Sequence, residues 1–248
     1  MKQELYYVHL AVIPVRAEPR DPAEIVTQLL FGELLEVLEE KEQWRRIRCV
    51  HDGYEGWTDE KLFKPFSGSK KQTHRLHANT LTINTPSGPQ TIIKGANLHK
   101  VKGNSIEVGE DQYSILGTHT ENWKENLETL AMSYLNAPYL WGGRSIFGID
   151  CSGFTQIVFA FKNIDLPRDA YQQAEEGKMI ELGNQKPMDL AFFINSKGKV
   201  IHVGICLEDS KIIHAYGKIR IDKLDEKGIW VADMNKYSHT FSHIRRIS

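Results

Sequence analysis

The chain has 248 residues, 41% hydrophobic and 25% charged, the composition of an ordinary globular protein with room for one large domain or two or three small ones. Lys and Arg number 31 and Asp and Glu 32, for a net charge of −1. A partner rich in phosphate, or an anionic wall or membrane held by charge, calls for a basic surface, so neither nucleic acid nor membrane is expected as a partner.

At the N-terminus, Lys2, Glu4 and His9 interrupt the apolar residues, so no signal peptide is read there. No stretch approaches the ~20 apolar residues of a membrane span. The first 66 residues read as short strands and turns. Val8–Val15 is β-rich, Glu33–Glu39 carries Leu34, Leu35, Val37 and Leu38, and Trp44–Val50 alternates apolar residues with arginine. Residues 24–31 fit a helical turn or a strand equally well. His51-Asp52-Gly53-Tyr54-Glu55-Gly56 is a hairpin signal, and Trp57 opens the strand after it. Ser67 to Lys71 reads as a linker. Leu81–Ile83, Thr91–Ile93, Ser105–Val108 and Tyr113–Leu116 are again short β runs broken by glycines, which predicts a second small barrel.

The pattern changes at Thr120. Trp123, Leu127, Leu130, Ala131, Tyr134 and Leu135 form a helical stripe, with Thr118 or Thr120 as N-cap and Pro138 as the stop. A Gly-rich loop then leads to Asp150-Cys151-Ser152-Gly153 and a helix-compatible apolar run, Phe154–Lys162. Arg168–Gly177 reads as a further helix, with Arg168 and Asp169 as a local charge pair at its start. From Leu190 the period is that of strands, through LAFFIN, VIHVGICL and KIIHAYG. Helices followed by a meander predict an α+β domain. The expected organisation is 1–66, 67–119 and 120–248.

Cys151 is the first candidate for chemistry. A thiol at a helix N-terminus faces unpaired N–H groups and the positive end of the dipole, so a lowered pKa is expected, with Asp150 as cap. A nucleophilic thiol needs a base and an orienter. In Ile201-His202-Val203-Gly204-Ile205 the apolar side chains are expected to share one face, with His202 on the other, and His214 ends the next strand beside it. A buried, inert cysteine and a zinc site of Cys151, His202 and His214 are the alternatives, the latter lacking a close ligand pair on one element. Cys49 and Cys206 read as core, and three cysteines without a Cys-x-x-Cys pair read as reduced thiols.

The run from Ala137 to Phe154, APYLWGGRSIFGIDCSGF, resembles the active-site signature of the NlpC-type cysteine peptidases, and His202-Val203-Gly204-Ile205 and Ile213-His214-Ala215 resemble its second and third elements. Residues 166–173, LPRDAYQQ, also fit. Glu33-Leu-Leu-Glu-Val-Leu, Trp44-Arg-Arg-Ile-Arg and Asp52-Gly-Tyr-Glu-Gly-Trp57 resemble bacterial SH3-like domains. One departure is Met188 before Asp189-Leu190, where the family has glycine; altered backbone strain rather than lost chemistry is expected.

The resemblance implies a papain-like α+β catalytic domain after two SH3-like barrels, with Cys151 as nucleophile, His202 as base and His214 as orienter. It implies an oxyanion site from the Cys151 N–H and the Tyr139 hydroxyl, with Trp141 as pocket wall or core. Asp150, Glu18 and Tyr54 are the implied ligands of a substrate ammonium, and Ser152 of a D-Glu carboxylate. The implied substrate is a murein-derived peptide, L-Ala-γ-D-Glu-diamino acid, cut after γ-D-Glu when its amino terminus is free. The expectation is a cytoplasmic recycling enzyme, monomeric, with no metal or organic cofactor. The alternatives are a secreted or periplasmic wall endopeptidase anchored by its SH3-like domains, a non-catalytic binding protein, and an NlpC-related amidase or acyltransferase.

Overall fold

The computed structural model describes residues 4–68, 74–117 and 126–247. They divide into two compact units, Met1–Lys124 with Trp141–Ile146, and Glu125–Leu140 with Phe147–Ser248. Among the described residues no helix is long and apolar enough to cross a membrane.

In the first unit, strands β1 to β7 span Leu5–Val8, Val12–Arg16, Ile25–Leu30, Leu34–Lys41, Trp44–Cys49, Glu55–Asp59 and Phe63–Pro65. They form an antiparallel sheet in the order β3-β2-β6-β5-β4-β1-β7. Residues 25–30 are therefore strand, with Thr27, Leu29 and Leu30 buried. The Gly-rich turn after Cys49 joins β5 to β6 as a hairpin. Seven further strands, β8 to β14, span His74–Arg75, Thr80–Thr85, Gly88–Ile93, Asn97–Leu98, Lys100–Lys102, Ser105–Val108 and Asp111–Ile115. Five of them make a second sheet, β10-β9-β14-β13-β12, and β8 pairs with β11.

The two β regions are less separate than a linker at 67–71 predicts. Tyr7, Phe31, Leu34 and Phe66 from the first join Leu76, Ile83, Ile92, Ile106 and Tyr113 from the second in one buried cluster. A shared core makes the two sheets one unit, because pulling them apart would return that apolar surface to water. Residues 69–71 of the linker and the 119/120 boundary lie outside the described residues.

The second unit holds α1 (Leu127–Met132), α2 (Cys151–Ala160), α3 (Ala170–Gln173) and strands β16 to β23; β15 (Arg144–Ser145) belongs to the first unit. Strands β16 to β23 span Gly148–Ile149, Lys178–Ile180, Leu190–Ile194, Val200–Cys206, Lys211–Tyr216, Lys218–Asp225, Gly228–Val231 and Lys236–Arg246. The meander β18 to β22 continues into β23, which pairs with both β22 and β18 and closes a six-stranded barrel. Ala191, Phe193, Cys206, Ile212, Leu224, Ile229, Val231 and Ile244 form one of its buried clusters. Helix α2, buried along its whole length, packs on β19 and β20.

Two helices are shorter than their patterns predict. Within the described residues α1 starts at Leu127, and Asn126 is its cap, its Oδ1 accepting from Thr129 N at 2.8 Å; Thr118, Thr120 and Trp123 lie outside them. The 168–177 helix reduces to the single turn α3, followed by i→i+3 turns in which Glu175 N donates to Gln172 O and Glu176 N to Gln173 O.

Candidate active site

Cys151 is the first residue of α2. Asp150 caps that helix, its Oδ1 accepting from Gly153 N at 2.7 Å. A cavity of about 220 Å³ is lined by Tyr139, Cys151, Ile201, His202, Ala215, Tyr216, Gly217 and His239. Strand β19 brings His202 and Ile201 to it, the end of β20 brings Ala215 and Tyr216, and the turn after it brings Gly217. The expected one-faced pattern of β19 is not found. Ile201 is exposed at 49%, whereas His202, Val203, Gly204 and Ile205 are all buried, because α2 and α3 cover the strand.

Behind His202 runs a hydrogen-bonded chain. His202 Nε2 lies 2.9 Å from His214 Nδ1, and His214 Nε2 lies 3.0 Å from Asp222 Oδ2. Arg220 Nε donates to Asp222 Oδ2 at 2.6 Å, and Arg220 also pairs with Asp233. Gly204 makes room for this arrangement. A Cβ there would stand 2.9 Å from His214 Cβ and 2.7 Å from Ile212, so only glycine lets His214 sit against its cross-strand partner. His239 of β23 stacks on His202, with ring centroids 3.9 Å apart and planes 11° apart.

The thiol is not activated in the way its helix position predicts. Burial, and then the charge of Asp150, push Cys151 up to about 12, against the pull of the backbone at Val203, of Arg168 and of the backbone at Ser152. Burial, with His239 and His214 nearby, holds His202 well below its ordinary value. Burial also lowers His214, although Asp222 opposes it. At neutral pH the resting pair is therefore a neutral thiol and a neutral imidazole, and the sulfur needs a base when it attacks. Burial, then the charges of Cys151 and Asp150, push Tyr139 up to about 12, so its hydroxyl keeps its proton and can donate.

Tyr139 is fixed by its backbone, which bridges to Ile149 and donates from N to Gly217 O at 3.0 Å. Asp150 is buried and engaged. Arg168 Nη2 donates to its Oδ2 at 2.6 Å, and Arg168 Nη1 donates to Ser152 Oγ at 2.9 Å. Asp150 and Ser152 thus serve the start of α2. Asp169 closes a capping box with Gln172, and Arg168 pairs with Asp150. The reason is burial: a guanidinium 2% exposed requires an equally buried counter-charge.

Trp141 is not core, and it belongs to the first unit, whereas the residues named for the cavity belong to the second. It is 62% exposed and donates from Nε1 to Glu24 Oε1 at 2.6 Å within the first unit. The loop around it is held there by Gly142, whose φ of +76° and position against Ile25 O leave no space for a Cβ. Glu18 is an exposed carboxylate paired with Arg20 at 3.0 Å. Tyr54 packs against the core of the first barrel. Both stand in the first unit, whereas every lining residue of the cavity comes from the second.

Asp222, Arg220 and His239 lie beyond the last strand that the sequence pattern assigns. Together with His202 and His214, His239 forms a group whose ligand atoms lie within 4.8 Å of one another. Stacked rings point their lone pairs side by side rather than at one centre, and His202 and His214 already bind each other. The chemistry of this group is that of a proton relay more than of a cation cage.

Residues 136–237 match the NlpC/P60 family, and residues 15–61 match the bacterial dipeptidyl-peptidase SH3 domain. The chain is 30% identical over 221 residues to a gamma-D-glutamyl-L-lysine dipeptidyl-peptidase of Bacillus subtilis, covering 77% of this chain and 72% of that protein. It is 27% identical to dipeptidyl-peptidase 6 of Lysinibacillus sphaericus, covering 85% and 88%. An NlpC/P60 family protein of Bacillus cereus has a similar fold, with a TM-score of 0.79 at 20% identity over 98% of this chain and 99% of that one.

Proposed function

The chain belongs to the NlpC/P60 family and is a cysteine peptidase of peptidoglycan-derived peptides, and from that premise we propose that it cleaves between γ-D-glutamate and the following diamino acid, releasing L-Ala-D-Glu from peptides whose L-Ala amine is free. One observation carries this reading: Cys151, at the start of α2, and His202, backed by His214, line a single cavity. The names of the similar proteins, gamma-D-glutamyl-L-lysine dipeptidyl-peptidase and dipeptidyl-peptidase 6, support a γ-D-glutamyl bond and a dipeptide product.

In the proposed reaction the Cys151 sulfur attacks the γ-carbonyl carbon while its proton passes to His202. The oxyanion that forms accepts hydrogen bonds from the Cys151 N–H at the helix start and from the Tyr139 hydroxyl. As the C–N bond breaks, His202 returns the proton to the departing amine, leaving a thioester. Water then gives its proton to His202, attacks the thioester, and releases the dipeptide and the thiol. The proposed setting is recycling of free murein peptides in the cytoplasm. Cys49, Cys151 and Cys206 are buried and joined by no disulfide, which suits a reducing compartment.

Digestion of L-Ala-γ-D-Glu-diamino-acid peptides, free and N-acetylated, read by mass spectrometry, tests the proposal. The expected result is dipeptide release from the free peptide alone, abolished by Cys151→Ala. Equal cleavage of both peptides would overturn the free-amine requirement. Cleavage of neither would overturn the substrate.

A further inference from the structure

We infer that Asp222 is a positioning residue that, acting through His214, fixes which ring nitrogen of His202 takes the thiol proton. The inference rests on Cys151 and His202 being nucleophile and base. Asp222 is buried on β21 and held by Arg220, whose Nε donates to Oδ2 at 2.6 Å and Nη2 to Oδ1 at 2.9 Å. An arginine is always charged, so its fork keeps this carboxyl ionised. An ionised carboxylate only accepts hydrogen bonds. His214 Nε2, 3.0 Å from Oδ2, must then carry a hydrogen.

A neutral imidazole has a single N–H. Burial keeps His214 neutral at neutral pH, so its Nδ1 presents a lone pair. His202 Nε2, 2.9 Å from that lone pair, must donate to it. The hydrogen of His202 is thereby committed to Nε2, and Nδ1 is the nitrogen left to accept a proton. Run in the opposite sense, the same two imidazoles place the hydrogen on His202 Nδ1, where nothing can be accepted. The two histidines alone do not choose between these directions. Asp222 does, because it is the one end of the chain with a fixed polarity. Its strand supplies the rigidity: β20 and β21 pair in register, Ile212 with Asp222 and His214 with Arg220.

The test uses the whole protein, labelled with ¹⁵N, and reads the imidazole nitrogen shifts of His202 and His214 beside kcat and KM on the free-amine peptide. The native enzyme is expected to show both histidines as Nε2–H. In Asp222→Asn the His202 hydrogen is expected to move toward Nδ1. By comparison with a wrong-tautomer triad, kcat is expected to fall about 10²- to 10⁴-fold, with KM changed less than about threefold. Asp222→Glu should restore part of kcat. A native His202 protonated at Nδ1 would overturn the inference even if Asp222→Asn failed to fold. So would a folded Asp222→Asn with unchanged shifts or with kcat within about threefold of native. Cys151→Ala in the same assay keeps the failures apart: surviving turnover overturns the nucleophile, whereas the nitrogen shifts decide Asp222.

Discussion

Glu33 in the first unit and His214 in the second are each the middle of a buried polar chain, and the chains differ at their ends. Glu33, 1% exposed, lies between Arg144 at 2.7 Å and Arg75 at 2.7 Å. Burial opposes its ionisation, but Arg144, His51 and Arg75 outweigh it and hold the carboxyl well below the usual carboxylate range. Glu33, Arg144 and Arg75 all carry their charges near neutral pH. His214 lies between a fixed charge, Asp222, and a neutral imidazole, His202, that reaches a cavity. A network closed by charges at both ends holds a loop in place, and Arg144 belongs to the 141–146 segment that it secures. A network with one charged end and one open end can pass a proton.

The largest effect expected from this difference is on stability in the first unit. Glu33→Gln takes from two buried guanidinium groups the carboxylate that both of them bond, which costs about 3–5 kcal/mol. Urea unfolding, with hydrogen exchange to locate the loss in β3, β4 and the 141–146 segment, checks it. A loss under about 1 kcal/mol would mean that the pair is not what holds Arg144.

Acid separates the two chains next. His202, His214 and His239 all have lowered values in the folded state, each chiefly through burial, His239 reaching about 4. The unfolded chain therefore takes up protons first as pH falls below about 6.5, and folding weakens from there downward. For His239 alone the loss is roughly 1–3 kcal/mol by pH 4, allowing for its partial exposure. The carboxylates of the first unit behave otherwise. Burial raises Asp52, but His51 and Arg144 outweigh it and bring it to about 2, so its contribution holds until pH falls below about 4. Hydrogen exchange at pH 7, 5.5 and 4.5 should show the second unit loosening more than the first, where burial also lowers His9 and His99 but buried carboxylates hold. Equal loosening of both would remove the distinction.

What the sequence made legible follows the same divide. In the first unit the alternation of Trp44–Val50 marks β5, while residues 24–31 fit strand and helix alike, and the motif from Ala137 to Phe154 marks Cys151 with Asp150 beside it. His202 and His214 sit in strongly apolar strands that periodicity finds. The rest was hidden for physical reasons. In β21 the buried positions are Ile219, Asp222 and Leu224, so the alternation slips and a carboxylate takes an inward place. Strand β23, KYSHTFSHIRR, is polar on both sides and pairs along its length, which no apolar pattern reveals. The partners of Arg168 and of Arg144 lie 18 and 111 residues away, and such pairs are set by tertiary contact. The shared core of the two β regions is hidden for the same reason.

The smallest expected effect lies at Met188, beside the second network but outside it. Its φ is +76°, a left-handed conformation that costs a residue with a side chain about 1–2 kcal/mol. The turn is held because Met188 N donates to Cys206 O at 2.9 Å and Asp189 is locked by Arg246 at 2.7 Å. Met188→Gly removes the strain but adds freedom to the unfolded chain worth about 0.5–1 kcal/mol. The net expected gain is about 0.5–1 kcal/mol, with kcat unchanged, since Met188 does not line the cavity. Thermal unfolding and turnover of the same preparation check both halves. A gain in stability bought with a fall in kcat would mean that the strained turn tunes β19, and with it His202, and the chemistry would then reach further into the barrel than its hydrogen bonds do.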